Sequence, residues 1–178
     1  MFARAYHQLK VHRQRPMSRT KHRRASKGLR EKYPPSEPCS CDVCSGYCLR
    51  PGWWTITEAA KAIKAGYADR MMLEISPEQT FGVLSPAFKG CETFFAINEY
   101  ARNDCTFLNN NLCQLHGTGL LPLECAFCHH TRTGLGPVCH ADIEKEWNTP
   151  TGQDLVVRWM KSTGLWKKRH LCQVKWMG

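Results

Sequence analysis

The chain has 178 residues, 42% hydrophobic and 22% charged, with a net charge of +10 and 11 cysteines; this is the size of one compact domain, or of one domain with a tail. No apolar run approaches the roughly 18–20 residues that cross a bilayer, and Met1–Lys10 lacks the apolar stretch of a secretory signal. The expectation is a cytoplasmic protein without a membrane span, whose thiols stay reduced and, being clustered, serve metal rather than a disulfide framework.

The charge is concentrated at the start. Residues 1–38 hold eleven Lys/Arg against only Glu31 and Glu37, so they carry +9, and residues 39–178 carry +1. The chain divides into a basic N-terminal arm, 1–38, and a cysteine-rich metal-binding domain, 39–178, with Pro34, Pro35 and Pro38 at the joint. After Val11 the arm is poor in large apolar residues and cannot build a core of its own. It reads as extended or partner-bound, and it suits nucleic acid or an acidic partner through phosphate or carboxylate contacts. A targeting segment and a plain solvated tail are the alternatives. No aromatic residue interrupts the Arg run between Tyr6 and Tyr33, so base stacking has little support.

In the body, Thr55-Ile-Thr-Glu58 is a capping-box pattern ahead of Ala59, Ala60, Ala62 and Ile63, with Gly66 as a stop. It predicts a helix over about 56–65. Residues 72–76, 80–84 and 93–97 read as short strands. Cys105–Leu108 and Leu112–Leu115 flank Asn109-Asn110-Asn111, and Asn tolerates left-handed backbone angles, so the spacing predicts a tight hairpin. Residues 116–139 are rich in Gly and Pro and read as irregular. Helices are expected over about 140–147 and from a Thr151 cap to Gly164, the latter with Leu155, Val156, Trp159 and Met160 on one face. The expected fold class is α+β. It is a small irregular domain of short helices and hairpins, stabilised by metal or a cluster, plus the extended basic arm.

The cysteines fall at 39, 41, 44, 48, 91, 105, 113, 125, 128, 139 and 172. Cys41-x2-Cys44-x3-Cys48 is the tightest group, read as a tight loop that Gly46 eases around one ion or cluster. Cys105 and Cys113 bracket the hairpin, and Cys125-x2-Cys128 is a second metal-type pair. Thiolates suit zinc, iron–sulfur clusters and other soft sites. Cys41, Cys44, Cys48, Cys105, Cys113 and Cys125 are the expected ligands, with Cys128 and Cys139 in reserve. Cys91, Cys172 and Cys39 read as small buried apolar residues. His130 and His140 can complete a site, but surface or supporting roles are the simpler account of each. The tryptophans read as core or partner-interface anchors.

These motifs carry a resemblance. Cys41-Asp-Val-Cys44-Ser-Gly-Tyr-Cys48, Trp54-Thr-Ile-Thr-Glu58, Cys105-Thr-Phe-Leu108, Cys113-Gln-Leu-His116 and Pro122-Leu-Glu-Cys125 resemble the YkgJ-type cysteine-cluster family. That family is described as a zinc- or iron-chelating domain. The likeness spans about 41–128. Leu49 stands where the family has the second of a cysteine pair, and Leu121 and Ala126 stand where it has arginines. Cys128 or Cys139 can replace the missing ligand. One branch of the family comprises flagellin lysine methylases, whose cysteine domain is thought to hold an iron–sulfur cluster. The resemblance implies a cofactor more firmly than a reaction.

The reading is therefore a metal-chelating protein with an iron–sulfur cluster, or alternatively zinc, in a structural or redox role within a larger protein assembly. A protein-modifying enzyme is the first alternative, although no P-loop, dinucleotide fingerprint or catalytic triad is present. A zinc-stabilised module that grips nucleic acid with the arm is the second.

Overall fold

A computed structural model describes residues 28–101, 103–110 and 112–171. Most of the basic arm, residues 1–27, and Cys172 lie outside the described residues. The described part is mixed α and β, with the elements short and the connections long.

The capping box forms as the sequence predicts. Thr55 Oγ1 accepts the Glu58 N–H at 3.2 Å, and Glu58 Oε2 accepts the Thr55 N–H at 3.0 Å. These bonds satisfy backbone donors that have no partner inside the helix. The helix over Ile56–Ala62 widens into a turn over Ile63–Tyr67, where Gly66 takes φ 92°. A left-handed residue here ends the helix without the Cβ clash of other residues.

Two antiparallel strands follow. Met71–Ile75 pairs with Gly82–Pro86, with Leu73 opposite Leu84. The third expected strand, 93–97, does not form as one. Thr93 has φ 55° and Phe94 N–H bonds back to Cys91 in a turn. What remains is a single bridge, Leu73 to Phe95. The Asn hairpin does form, with Leu108 opposite Cys113 and Asn110 at φ 48°.

The helices differ from expectation at their starts. Cys41–Cys48 is no loop: Asp42–Leu49 is a helix capped at Cys41. Leu123–Phe127 is a further short helix inside the stretch expected to be irregular. The next begins at Gly136 rather than near 140 and runs to Trp147. Pro137 fits its first turn, where a missing N–H costs nothing. The last long helix, Pro150–Ser162, is capped two residues earlier than Thr151. Thr149 Oγ1 accepts the Gly152 N–H at 3.3 Å and Pro150 takes the first helical position.

Trp54, Trp147, Trp159, Phe107 and Leu73 fill the core, with Met160 and Ile143 beside them. Each buried indole finds an acceptor. Trp54 Nε1 donates to Leu120 O, Trp147 Nε1 to Trp54 O and Trp159 Nε1 to Ala68 O, at 2.7–2.9 Å. The tryptophans thus act as core anchors whose N–H groups also tie loops to the core.

Residues 29–36, which the sequence places in the arm, dock on the body. Leu29–Lys32 is one helical turn. Arg30 reaches Glu58 Oε1 at 2.6 Å and Leu121 O at 2.9 Å. Tyr33 is 5% exposed, and its hydroxyl donates to Asp142 at 2.6 Å. Lys145, Lys32 and Tyr33 together hold the Asp142 carboxyl well below the usual carboxylate range. Ser36 N–H bonds to Ala126 O at 2.8 Å, and Arg132 donates to Pro34 O at 2.7 Å. This docking delivers Cys39 and Cys41 to the face formed by residues 126–132. Among the described residues, no helix is long and apolar enough to cross a membrane.

Candidate metal centre

Cys39, Cys41, Cys44 and His130 converge, with their four ligand atoms all within 4.8 Å of one another. Cys39 comes from the segment docked by Ser36. Cys41 caps the Asp42–Leu49 helix and Cys44 lies in its first turn, so the x2 spacing puts both sulfurs at one helix end. His130 opens a short 3₁₀ turn, His130–Arg132. Thr133 Oγ1 bonds to His130 O at 2.8 Å. Arg132 is pinned to Pro34 O and Phe127 O and lies over the Phe127 ring.

The geometry is regular. His130 Nδ1 lies 3.5 Å from each of the three sulfurs. A tetrahedral ion with bonds of about 2.3 Å to sulfur and about 2.0–2.1 Å to nitrogen has S···N edges of roughly this length. The His130 N–H also points at Cys44 Sγ, at 3.3 Å.

The electrostatics suit thiolate ligands. Backbone N–H groups at the helix start, that of Cys44 foremost, face the Cys41 sulfur and hold its thiol below the usual range; the neighbouring Cys39 thiol adds to this. Burial raises the Cys44 thiol. A buried thiol of this kind ionises when a cation is there to receive it. The group can hold a metal ion.

A second convergence lies beside the first. A cavity of about 220 Å³ is lined by Cys48, Cys105, Cys113 and Cys125, with Cys39, Cys44 and Cys128 at its edge toward the first group. Three of these thiols feel their neighbours. Cys48 is raised by burial and by Cys113. Cys105 is pushed up to about 11, mainly by burial, with Cys113 and Cys48 adding to it. Cys125 is raised well above the usual range, by burial first and then by Cys105. Cys48 sits one helical turn beyond Cys44, and the Leu108–Cys113 pairing draws Cys105 and Cys113 to the base of the hairpin. Gly52 N–H donates to Cys125 Sγ at 3.2 Å.

Of the cysteines expected from sequence, Cys41 and Cys44 enter the tight group, and Cys48, Cys105, Cys113 and Cys125 share the neighbouring cavity. Cys128 stands at the cavity wall, its thiol pushed up to about 11 by burial. Cys139 is wholly buried in the core and pushed up to about 12. Cys91 is likewise buried, in a small cluster with Met72, Ala87 and Phe88. Two members of the tight group are ones the sequence reading assigns elsewhere. Cys39 reads as an apolar filler and His130 as a surface or supporting residue. The close Cys39-x-Cys41 spacing is the one local signal that pointed to Cys39. His130 joins from 86 to 91 residues away, beyond the reach of any spacing rule.

Comparison with protein-family models, with curated proteins and with solved structures returned no match to this chain.

Proposed function

We propose that this chain is a metal-chelating cysteine-cluster protein that uses two neighbouring centres. Cys39, Cys41, Cys44 and His130 hold a single tetrahedral ion, zinc by the chemistry of three thiolates and one imidazole. Cys48, Cys105, Cys113 and Cys125 hold an iron–sulfur cluster in the adjoining cavity. Four thiolates around an enclosed space are the donor set such clusters take. The observation that carries the reading is the set of three equal 3.5 Å separations from His130 Nδ1 to the sulfurs. The motif resemblance to YkgJ-type domains, which runs through Cys41, Cys44, Cys48, Cys105, Cys113 and Cys125, agrees with it.

The protein's own residues order the two centres differently. Cys41, Cys44 and Cys48 follow one another along one face of the Asp42–Leu49 helix, Cys41 and Cys44 at its start and Cys48 one turn further along, so a single helix face supplies both centres. The zinc supplies folding energy by cross-linking segments that bury little apolar surface. The cluster supplies structural or redox chemistry, within a larger assembly.

The test is metal and sulfide analysis of the full chain purified without oxygen, with its visible spectrum. Zinc near one per chain, together with iron, acid-labile sulfide and a brown colour, is the expected result. A colourless chain containing zinc alone rejects the cluster, and a folded chain free of metal rejects the whole reading.

Gly52 offers a separate check on the second centre. A Cβ there would lie 2.9 Å from the Cys125 nitrogen and sulfur and 3.0 Å from Glu124 Cβ. Gly52→Ala must therefore push the Leu123–Phe127 helix outward at Cys125, at a cost of about 1–3 kcal/mol. Iron content is expected to fall while zinc is kept. Equal iron in variant and parent would remove Cys125 from the ligand set.

A further inference from the structure

We infer that the chain binds a free apolar α-amino acid at the opening between Arg50 and Glu74. Two cavities, of about 350 and 540 Å³, meet there and share Arg50, Pro51 and Glu74 as a common wall. Both volumes fall in the range of small-molecule sites.

Arg50 and Glu74 face the same space with opposite charge. Arg50 follows the Asp42–Leu49 helix and forms no hydrogen bond or ion pair among the described residues. Glu74 lies on the Met71–Ile75 strand, where its carboxylate accepts Trp53 Nε1–H at 2.8 Å. The two attract each other, yet they form no ion pair. Burial raises the Glu74 carboxyl, and the hydrogen bonds from Ser85 and Trp53, with the Arg50 charge after them, only partly offset this. A carboxylate and a guanidinium held apart across a cavity are an unmet demand for a ligand bearing the complementary pair. An ammonium meets Glu74, and a carboxylate meets the planar fork of Arg50.

The rest of the lining sets what joins those two groups. On one side His140 Nδ1 and Glu124 Oε1 are 3.0 Å apart, and the hydrogen bond to this carboxylate raises the imidazole's pKa, so that the ring, once protonated, neutralises Glu124. Trp53 N–H occupies the other Glu124 oxygen at 2.8 Å. Arg50 and Glu74 are thus the charges left without a partner of opposite sign. On the other side the wall is Leu49, Phe88, Ala96 and Ile97, which suits an apolar side chain. An α-amino acid with an aliphatic side chain carries all three features on one small skeleton.

The site adjoins the second centre, with Cys125 lining the 350 Å³ cavity and Arg50 also lining the cysteine cavity, so metal content serves as its control. Calorimetry on the full, metal-loaded chain would compare L-leucine, L-leucinamide and 4-methylpentanoate. Each charge-assisted contact is worth about 1.5–3 kcal/mol, so leucine is expected to bind at least about tenfold more tightly than either analogue. Arg50→Ala should bring leucine down to the level of leucinamide. Glu74→Gln keeps an acceptor for Trp53 and should bring leucine down to the level of 4-methylpentanoate. Both variants should keep the parent's metal content and melting temperature. The inference is overturned if leucine does not bind, if the three compounds bind alike, or if correctly folded variants bind leucine as the parent does.

Discussion

A Cys44→Ser chain is expected to lose its tightly held ion and to unfold at lower temperature. Cys44 is the buried member of the four-ligand group, 9% exposed, and its sulfur also receives the His130 N–H. Partners that merely orient metal ligands are worth about 10–100-fold in metal affinity. Removing a ligand outright should therefore exceed about 100-fold. Serine keeps the size of the side chain but offers a hydroxyl that does not ionise at neutral pH. The measurement is zinc content after dialysis, paired with a thermal melt. His130→Ala should act in the same direction, since its Nδ1 is the shared corner of all three S···N contacts. Unchanged zinc and an unchanged melt in both variants would dismiss the centre.

The second large effect falls on Glu58. Glu58 is 6% exposed, and its carboxylate serves three segments at once. It accepts Thr55 N–H at 3.0 Å, closing the capping box, and Leu123 N–H at 3.0 Å, opening the helix that carries Cys125. It also pairs with Arg30, the anchor of the docked arm. Glu58→Ala leaves two buried N–H groups without their acceptor and leaves the Arg30 guanidinium only the Leu121 carbonyl. Each buried N–H left without an acceptor costs about 1–3 kcal/mol. Arg30→Ala should cost far less, because the arginine is 46% exposed, so solvent already screens the pair, and Glu58 keeps its two backbone donors. Urea unfolding of the two variants gives the comparison. Equal losses would mean that the ion pair, rather than the backbone acceptors, is what Glu58 supplies.

The parts of this fold legible in the sequence are those decided locally. Thr55 and Glu58 are three residues apart, and each satisfies the other's backbone. The Asn109–Asn111 turn and the Pro150–Ser162 helix likewise carry their own signals in turn chemistry and apolar spacing. The Asp42–Leu49 helix was not legible. Its sequence contains Ser45 and Gly46, both poor helix formers, and it is fixed by what docks at its start. Residues 93–97 show the converse: Thr93, Phe94 and Phe95 favour a strand, but the left-handed turn at Thr93 leaves only a bridge. In the site, the cysteine spacings pointed to metal. The partition was hidden, because which cysteine meets which depends on segments far apart in sequence. Cys39 and His130 belong together only once Tyr33, Ser36 and Arg132 have brought the arm's end against residues 126–132.

That long-range meeting has a consequence for the denatured chain. Cys44 and His130 are separated by 86 positions. A link closing a loop of that length withdraws roughly 4–5 kcal/mol of conformational freedom from the unfolded ensemble, on the chain-entropy account of cross-links. A disulfide would do the same permanently. A bound ion does it reversibly, because the clasp opens whenever a chelator captures the metal or an oxidant captures the thiols. Two segments far apart in the chain are thus fastened by a cross-link whose strength the surroundings can set.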